Sequence, residues 1–326
     1  MRIDLHSHSA ASDGTDPPAE VMWRAREAGL DVIALTDHDT LAGHEEARGA
    51  LPDGLTLVPG MELSCALGER SVHLLAYRVD PANEALAAEC RAITADRLRR
   101  GRAMVDLLRG LGAEVSWPQV TAIAGGGVVG RPHIARAMVA AGVIERPDQA
   151  FSTEWLGQGG RAYVGRYAPA PDRAIALVRA AGGVAVLAHP GAPTRGARIP
   201  DDVIAGLAQA GLAGLEVAHP DHTSAERIRL AGLANDLGLV RSGGSDDHGR
   251  LSGHRLGCDV TEPAEFQRLM AQATGPGPVR GPGLKAPGDK ALSDKERGDK
   301  APGDRAPGDK TPDCHAPGDK APGPGA

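Results

Sequence analysis

An α/β fold, either a parallel barrel or a wound sheet, is predicted by three observations. Seven short apolar or β-branched runs recur along the chain, Ala- and Leu-rich segments with helical spacing separate them, and several runs end in or lead directly into His, Asp or Glu. In a parallel α/β fold such ends meet on one face, which makes that face the candidate site.

Residues 2–8, with Ile3 and Leu5, form the first strand. A helix over 18–28 opens on Pro18, a residue suited to a first helical turn, and leads to a second strand over 31–36 built on Val32-Ile33-Ala34-Leu35. Strands over 56–62 and 72–78 follow. From about 81 to 166 the rhythm changes: helical segments at 87–111 and 131–141 flank a Gly125-Gly126-Gly127 break. This stretch is read as a helical insertion between the fourth and fifth strands. Insertions on such scaffolds occupy connecting loops, so it is expected over the active face. Beyond it come a helix over 170–181, a strand over 184–189, a helix over 200–210, a strand over 214–217, a helix over 224–236 and a strand over 239–245.

Two compositions are joined in the 326 residues. Hydrophobic residues make up 41% and charged residues 24%, ordinary globular values, yet there are only 3 Trp, 3 Tyr and 2 Phe against 44 Gly and 25 Pro. From residue 276 aromatics vanish, and Ala286-Pro287-Gly288-Asp289-Lys290 returns at 306–310 and 316–320 with degenerate copies between. Such a repeat cannot bury enough apolar surface to offset about 1–2 kcal/mol of backbone entropy per residue. A disordered low-complexity tail over 275–326 is therefore expected beside a folded body over 1–270. The net charge of -6 argues against duplex nucleic acid as a partner. Cys65, Cys90, Cys258 and Cys314 show no C-x-x-C spacing, the N-terminus has no export pattern, and no apolar run reaches about 18 residues. The expectation is a cytoplasmic protein with reduced thiols, no membrane span and no obligate protein partner.

Twelve histidines carry the functional signal. His6 and His8 stand at i and i+2 of a strand, so both rings face one side and can converge on an ion. The second strand ends Thr36-Asp37-His38-Asp39 and the third Gly60-Met61-Glu62; the fourth contains Val72-His73; the fifth ends Leu187-Ala188-His189; the seventh runs into Gly243-Gly244-Ser245-Asp246-Asp247-His248. Burying so many ionisable groups at one mouth without a metal would be expensive.

These phrases resemble the PHP (polymerase and histidinol phosphatase) family of metal-dependent phosphoesterases. Asp4-Leu5-His6-Ser7-His8, Leu35-Thr36-Asp37-His38-Asp39, Pro59-Gly60-Met61-Glu62, Ala188-His189-Pro190 and Ser245-Asp246-Asp247-His248 match its motifs in order, over about residues 1–270. The resemblance implies a distorted seven-stranded (β/α) barrel holding two or three divalent ions, manganese first among manganese, zinc, magnesium and iron. It implies His6, His8, Glu62 and Asp246 around a first ion, Glu62, His73 and His189 around a second, and Asp13, His38 and His248 around a third. Asp13 stands where some members have histidine. Ions about 3.5–4 Å apart clamp the oxygens of an in-line displacement and lower the pKa of bound water towards about 7. A bridging hydroxide is thus the expected nucleophile, with Asp246 or His248 assisting proton transfer.

Within the insertion, Val129-Gly130-Arg131-Pro132-His133-Ile134-Ala135-Arg136 resembles a phrase of the subgroup with 3',5'-nucleoside bisphosphate phosphatases and short-oligoribonucleotide exonucleases. Arg131 can pair with phosphate in bidentate fashion, and Pro132 suits the opening of a helix whose amides favour anions. Arg131, His133 and His222 are expected at the substrate, with His219 beside His222, Arg195 and Arg198 as further phosphate candidates, and Tyr163, Tyr167 or Trp155 as stacking surfaces. His44, His254 and His315 read as structural or solvated. The expected activity is hydrolysis of a small phosphomonoester, foremost the 3'-phosphate of a nucleoside 3',5'-bisphosphate. Histidinol-phosphate hydrolysis and a non-catalytic, metal-stabilised binding module are the alternatives.

Overall fold

The computed structural model describes residues 1–68, 70–192 and 198–281. Arg195, His315 and the repeats expected beyond 281 lie outside the described residues. One sheet runs in the order β1 (Ile3–Asp4), β2 (Val32–Leu35), β3 (Thr56–Leu67), β4 (Arg70–Tyr77), β5 (Val184–Leu187), β6 (Gly214–Ala218) and β7 (Val240–Gly243). Single bonds draw its two ends together: the Leu5 amide donates to the Gly243 carbonyl, Asp246 to His6, and His8 to Asp247. A Cβ at Gly244 would collide with His6, so only glycine permits this approach. The result is the nearly closed, barrel-like sheet that the strand pattern and motifs predict.

Its interior is filled by Ile3, Leu5, Val32, Ala34, Val58, Leu75, Tyr77, Val184, Val186 and Val240, all buried. Burying each of the larger aliphatic side chains contributes about 1.5–3 kcal/mol, which fixes the strand ends firmly enough to aim side chains from them. The Tyr77 hydroxyl adds a bond to the Leu5 carbonyl at 2.7 Å inside that core.

The barrel departs from an all-parallel one at β4, which runs antiparallel to both β3 and β5. β3 continues to Leu67, beyond the end predicted at 62, and β4 folds back along it with His73 opposite Ser64. The start of β4, rather than its end, therefore lies at the mouth.

An eighth strand, β8 (Val279–Arg280), pairs antiparallel with β3 through Thr56 and Leu57. The folded body thus runs past the boundary expected at 270–275. Arg78 secures the approach, donating to the carbonyls of Met270, Gly275 and Pro276 at 2.6, 2.7 and 3.0 Å. Two residues after a Gly- and Pro-rich stretch carry no periodicity from which a strand could be predicted. A chain ending at Gly281 is expected to keep wild-type turnover and melting temperature. Ending at Thr274 should cost about 1–3 kcal/mol through the lost β8 and Arg78 bonds. Equal melting curves for the two truncations would contradict this.

Helices α1 (Pro18–Glu27) and α2 (His44–Gly49) cover β2 and β3. Between β4 and β5 lie α3 (Glu84–Gly110), α4 (Trp117–Ala124), α5 (Arg131–Ala140) and a 3-10 turn over Pro147–Phe151. They share a core of their own, with Met104, Val105, Leu108, Val120, Ile134, Met138 and Leu156. α3 belongs to both bodies: Leu86 and Ile93 pack in the barrel's outer core, Met104 to Leu108 in the inserted one. The inserted helices rest on the loop after β1, where Val128 donates to the Ala11 carbonyl at 3.2 Å. After α6 (Pro171–Ala180) the alternation resumes with α7 (Asp201–Gln209), α8 (Ser224–Asp236) and α9 (Pro263–Met270). No helix among the described residues is long and apolar enough to cross a membrane.

Candidate metal centre

Six segments deliver side chains to one mouth. His6 and His8 stand just past β1, buried. Asp4 directs them: its Oδ1 accepts the amides of His6 and Ser245 at 3.1 and 2.9 Å, and its Oδ2 accepts that of Gly257 at 2.8 Å. Asp37, just past β2, holds the loop that carries Asp13, accepting from the Ser9 amide and hydroxyl and the Ser12 hydroxyl at 2.6–2.8 Å. His38 follows Asp37 and bridges to Glu62 on β3.

Glu62 is the hub. Its Oε2 lies 3.1 Å from His8 Nε2 and 3.3 Å from both His6 Nε2 and His38 Nδ1. Its Oε1 lies 2.7 Å from His73 Nδ1 and 3.0 Å from His189 Nε2. Asp246 Oδ1 faces the same His6 and His8 nitrogens at 3.3 Å. On the outer side, Asp13 Oδ1 is 3.4 Å from His248 Nε2 and its Oδ2 3.7 Å from His38 Nε2. Ligand atoms of His6, His8, Glu62 and Asp246 lie within 4.8 Å of one another, as do those of His8, Asp13, His38 and His248, and those of His38, Glu62 and His73.

These atoms fit metal ions better than they fit each other. Glu62 Oε2, His8 Nδ1 and His38 Nδ1 are buried yet make no hydrogen bond to any described residue. Polar atoms this close without hydrogen-bond geometry point at a common centre. Burial opposes charge on Glu62, but His38, His73 and His6 outweigh it and hold the carboxyl well below its usual range. Burial likewise opposes charge on His6, yet Glu216, Asp246 and Glu62 hold its ring well above its ordinary value. Carboxylates able to keep a proton on a buried imidazole call for a cation, and divalent ions supply one with every ring neutral.

Glu216, on β6, went unassigned in the sequence. Its Oε1 meets His6 Nδ1 at 2.9 Å and its Oε2 accepts the His189 amide at 2.8 Å. That bond assigns the His6 proton to Nδ1 and leaves Nε2 for a ligand bond. Burial opposes its charge, but His6 and His219 pull its carboxyl down to about 2. His219 Nε2 in turn reaches Asp246 Oδ2 at 3.2 Å. Asp39, His189 and Asp246 all have left-handed backbone, with φ of 56, 32 and 49°. Such conformations cost about 1–3 kcal/mol each and cluster where function fixes a side chain.

The inserted helices and the barrel mouth enclose a cavity of about 940 Å³, with Asp13, His38, His73 and His248 on the barrel side. The insertion contributes Arg97, Arg100 and Arg131, with Arg166 beside them. Arg97 donates to Asp39 Oδ2 at 2.9 Å and to the Ser64 hydroxyl, tying α3 to the barrel. Arg166 donates to Ser71 and the carbonyls of Cys65 and Arg70. Arg131 stacks on Phe151, 5.6 Å from the ring centre, and has no ion pair among the described residues. Burial, with Arg131 and Arg166 nearby, pushes Arg100 down to about 10.

Comparison with known proteins bears on the family. The PHP domain family matches residues 4–95. The chain is 34% identical over 263 residues to a 3',5'-nucleoside bisphosphate phosphatase of Chromobacterium violaceum, covering 78% of this chain and 89% of that protein. The chain belongs to the PHP family. A 5'-3' exoribonuclease of Haemophilus influenzae is 35% identical over 249 residues, 76% of this chain and 90% of that protein. A crystal structure from Bifidobacterium adolescentis, described as a metal-dependent phosphoesterase, superposes with a TM-score of 0.77 at 35% identity over 83% of this chain and 96% of that one. As a PHP protein, the chain is a metal-dependent phosphoric ester hydrolase, which sets aside a binding module without turnover.

Two residues expected at the substrate, His133 and His222, make hydrogen bonds to backbone. His133 is absent from the cavity wall; buried, it accepts the Gly130 amide on Nδ1 at 2.9 Å and closes the first turn of α5. His222 spends both ring nitrogens on backbone, Nε2 accepting from Gly191 at 3.1 Å and Nδ1 donating to Val217 at 3.0 Å. Of the stacking candidates, Tyr167 lines the cavity, whereas Trp155 packs against the inserted core and Tyr163 stands off the wall; Phe151 takes their place. His44 donates to the Gly60 carbonyl at 2.7 Å, a structural role. Arg198 lies 3.6 Å from Asp201 and 3.5 Å from Glu226, away from the cavity wall.

Proposed function

We propose that this PHP enzyme removes the 3'-phosphate of a nucleoside 3',5'-bisphosphate in the cytoplasm, using two or three divalent ions, manganese foremost. His6, His8, Glu62 and Asp246 would hold the first ion, Glu62, His73 and His189 the second, and Asp13, His38 and His248 the third; the first set is one of the clusters, Asp13, His38 and His248 share another with His8, and His73 and His189 both face Glu62 Oε1. Bound there, divalent ions supply positive charge for phosphoryl oxygens and acidify water. The protein's own part is to fix that geometry through Asp4, Asp37 and Glu216 and to exclude bulk water beneath the insertion. His248 donates from Nδ1 to the Asp246 carbonyl at 3.0 Å, which turns Nε2 towards Asp13 as the nitrogen that would ligate the third ion.

The observation that carries the bisphosphate reading is the arginine-rich wall of the cavity, above all Arg131, whose charge no described carboxylate neutralises. A second phosphate, away from the reacting one, meets that demand in bidentate fashion. Phe151 and Tyr167, 41% and 43% exposed, offer flat surfaces for a base. With manganese supplied, adenosine 3',5'-bisphosphate is expected to release inorganic phosphate and the 5'-monophosphate faster than histidinol phosphate or a 5'-phosphorylated tetraribonucleotide reacts. Turnover confined to histidinol phosphate, or to the RNA, would replace this reading.

A further inference from the structure

The loop after β7 is held independently of any ion. Asp247 Oδ1 accepts the Ser252 hydroxyl at 2.5 Å and the Arg255 amide at 2.8 Å, and its Oδ2 accepts the Gly249 amide at 3.0 Å. Its carbonyl accepts from His8 at 2.8 Å, fastening the loop to the end of β1. Arg255 projects from this frame onto the cavity wall beside His248, Leu251 and Ser252.

The guanidinium of Arg255 is underused. One Nη2 bond reaches the Asp246 carbonyl at 3.1 Å. Its Nε is buried without a hydrogen bond, and no described carboxylate pairs with it. Among the cavity's other arginines, Arg97 rests on Asp39, Arg100 on the Val164 carbonyl and Arg166 on Ser71 and two carbonyls. Arg131 carries an open charge too, but it belongs to the insertion. Arg255 is the barrel's own cation, in contact with Asp246 and aimed into the same space as His248.

We propose that Arg255 is a catalytic residue that binds the phosphoryl group undergoing hydrolysis. A planar guanidinium presents several N–H donors in a fixed fork that matches two phosphoryl oxygens. As a water oxygen bonds to phosphorus and the ester oxygen leaves with a proton, charge grows on those oxygens. Arg255 stabilises it through its N–H donors. A preorganised donor of this kind is worth about 10²-fold in kcat. The proposal rests on the phosphoesterase chemistry and is independent of which alcohol leaves.

The test uses the full chain with manganese supplied. Arg255→Ala and Arg255→Lys are assayed on whichever phosphomonoester the wild type turns over fastest, with bound metal and melting temperature measured alongside. Arg255→Ala is expected to lose about 10²-fold in kcat with wild-type metal content, and millimolar guanidinium ion should restore part of the loss. Lysine should recover charge without the fork and fall between. An unchanged kcat, or a loss that tracks missing metal or a lowered melting temperature, overturns the proposal. The nucleotide reading fails on a different result, a wild type that prefers some other ester.

Discussion

Replacing Glu62 with Gln is expected to lower turnover by about 10³-fold or more, equivalent to ~4 kcal/mol of barrier, and to release bound metal. The side chain is wholly buried and its two oxygens face five imidazoles, those of His6, His8, His38, His73 and His189. Gln keeps the shape and removes the charge that binds the set together. It also turns an acceptor oxygen into an amide N–H₂, which repels a cation. Phosphate release and metal content by mass spectrometry check the prediction together. Wild-type values for both would mean that the centre does not depend on Glu62.

Asp4→Ala is expected to cost about 3–5 kcal/mol of stability, even in metal-stripped protein. One carboxylate holds the amides of His6, Ser245 and Gly257, which belong to the two ends of the barrel. Its removal leaves three buried N–H groups without an acceptor where the sheet is joined by single bonds. Burial pushes the Asp4 carboxyl up to about 6 against these bonds, so its network works at the edge of what the site can keep charged. For a body of this size the loss corresponds to about 6–20 °C in melting temperature. Thermal unfolding with a chelator present measures it, and a shift under about 2 °C would show that the barrel closes without Asp4.

The chemistry was legible because it sits at strand ends, where short phrases survive intact. His6-Ser7-His8 shows its shared face through a period of two, and Ser245-Asp246-Asp247-His248 follows a recognisable apolar run. What escaped depends on direction and pairing. Nothing in Val72-His73 tells that β4 runs backwards, because an antiparallel strand has the same local pattern as a parallel one. Glu216 looks like an ordinary polar position in Gly214–Ala218 until the fold brings His6 against it. His133 and His222 are histidines in suggestive phrases whose backbone bonds, at Nδ1 of His133 and at both ring nitrogens of His222, the phrases do not announce. Arg255 follows the last motif in a loop without periodicity, so its open charge is visible only in three dimensions.

α3 has a consequence for how the roof is held. Its 27 residues make one rod of about 40 Å, rooted at one end in the barrel's outer core and at the other in the inserted core. Arg97, midway, is bolted to Asp39 and Ser64. A hinged lid needs a pliable joint between two bodies, and this helix denies it one. Swinging the roof open would mean bending the rod or breaking the bolt. The roof's place over the histidines is thus set by the same helix that is rooted in the barrel.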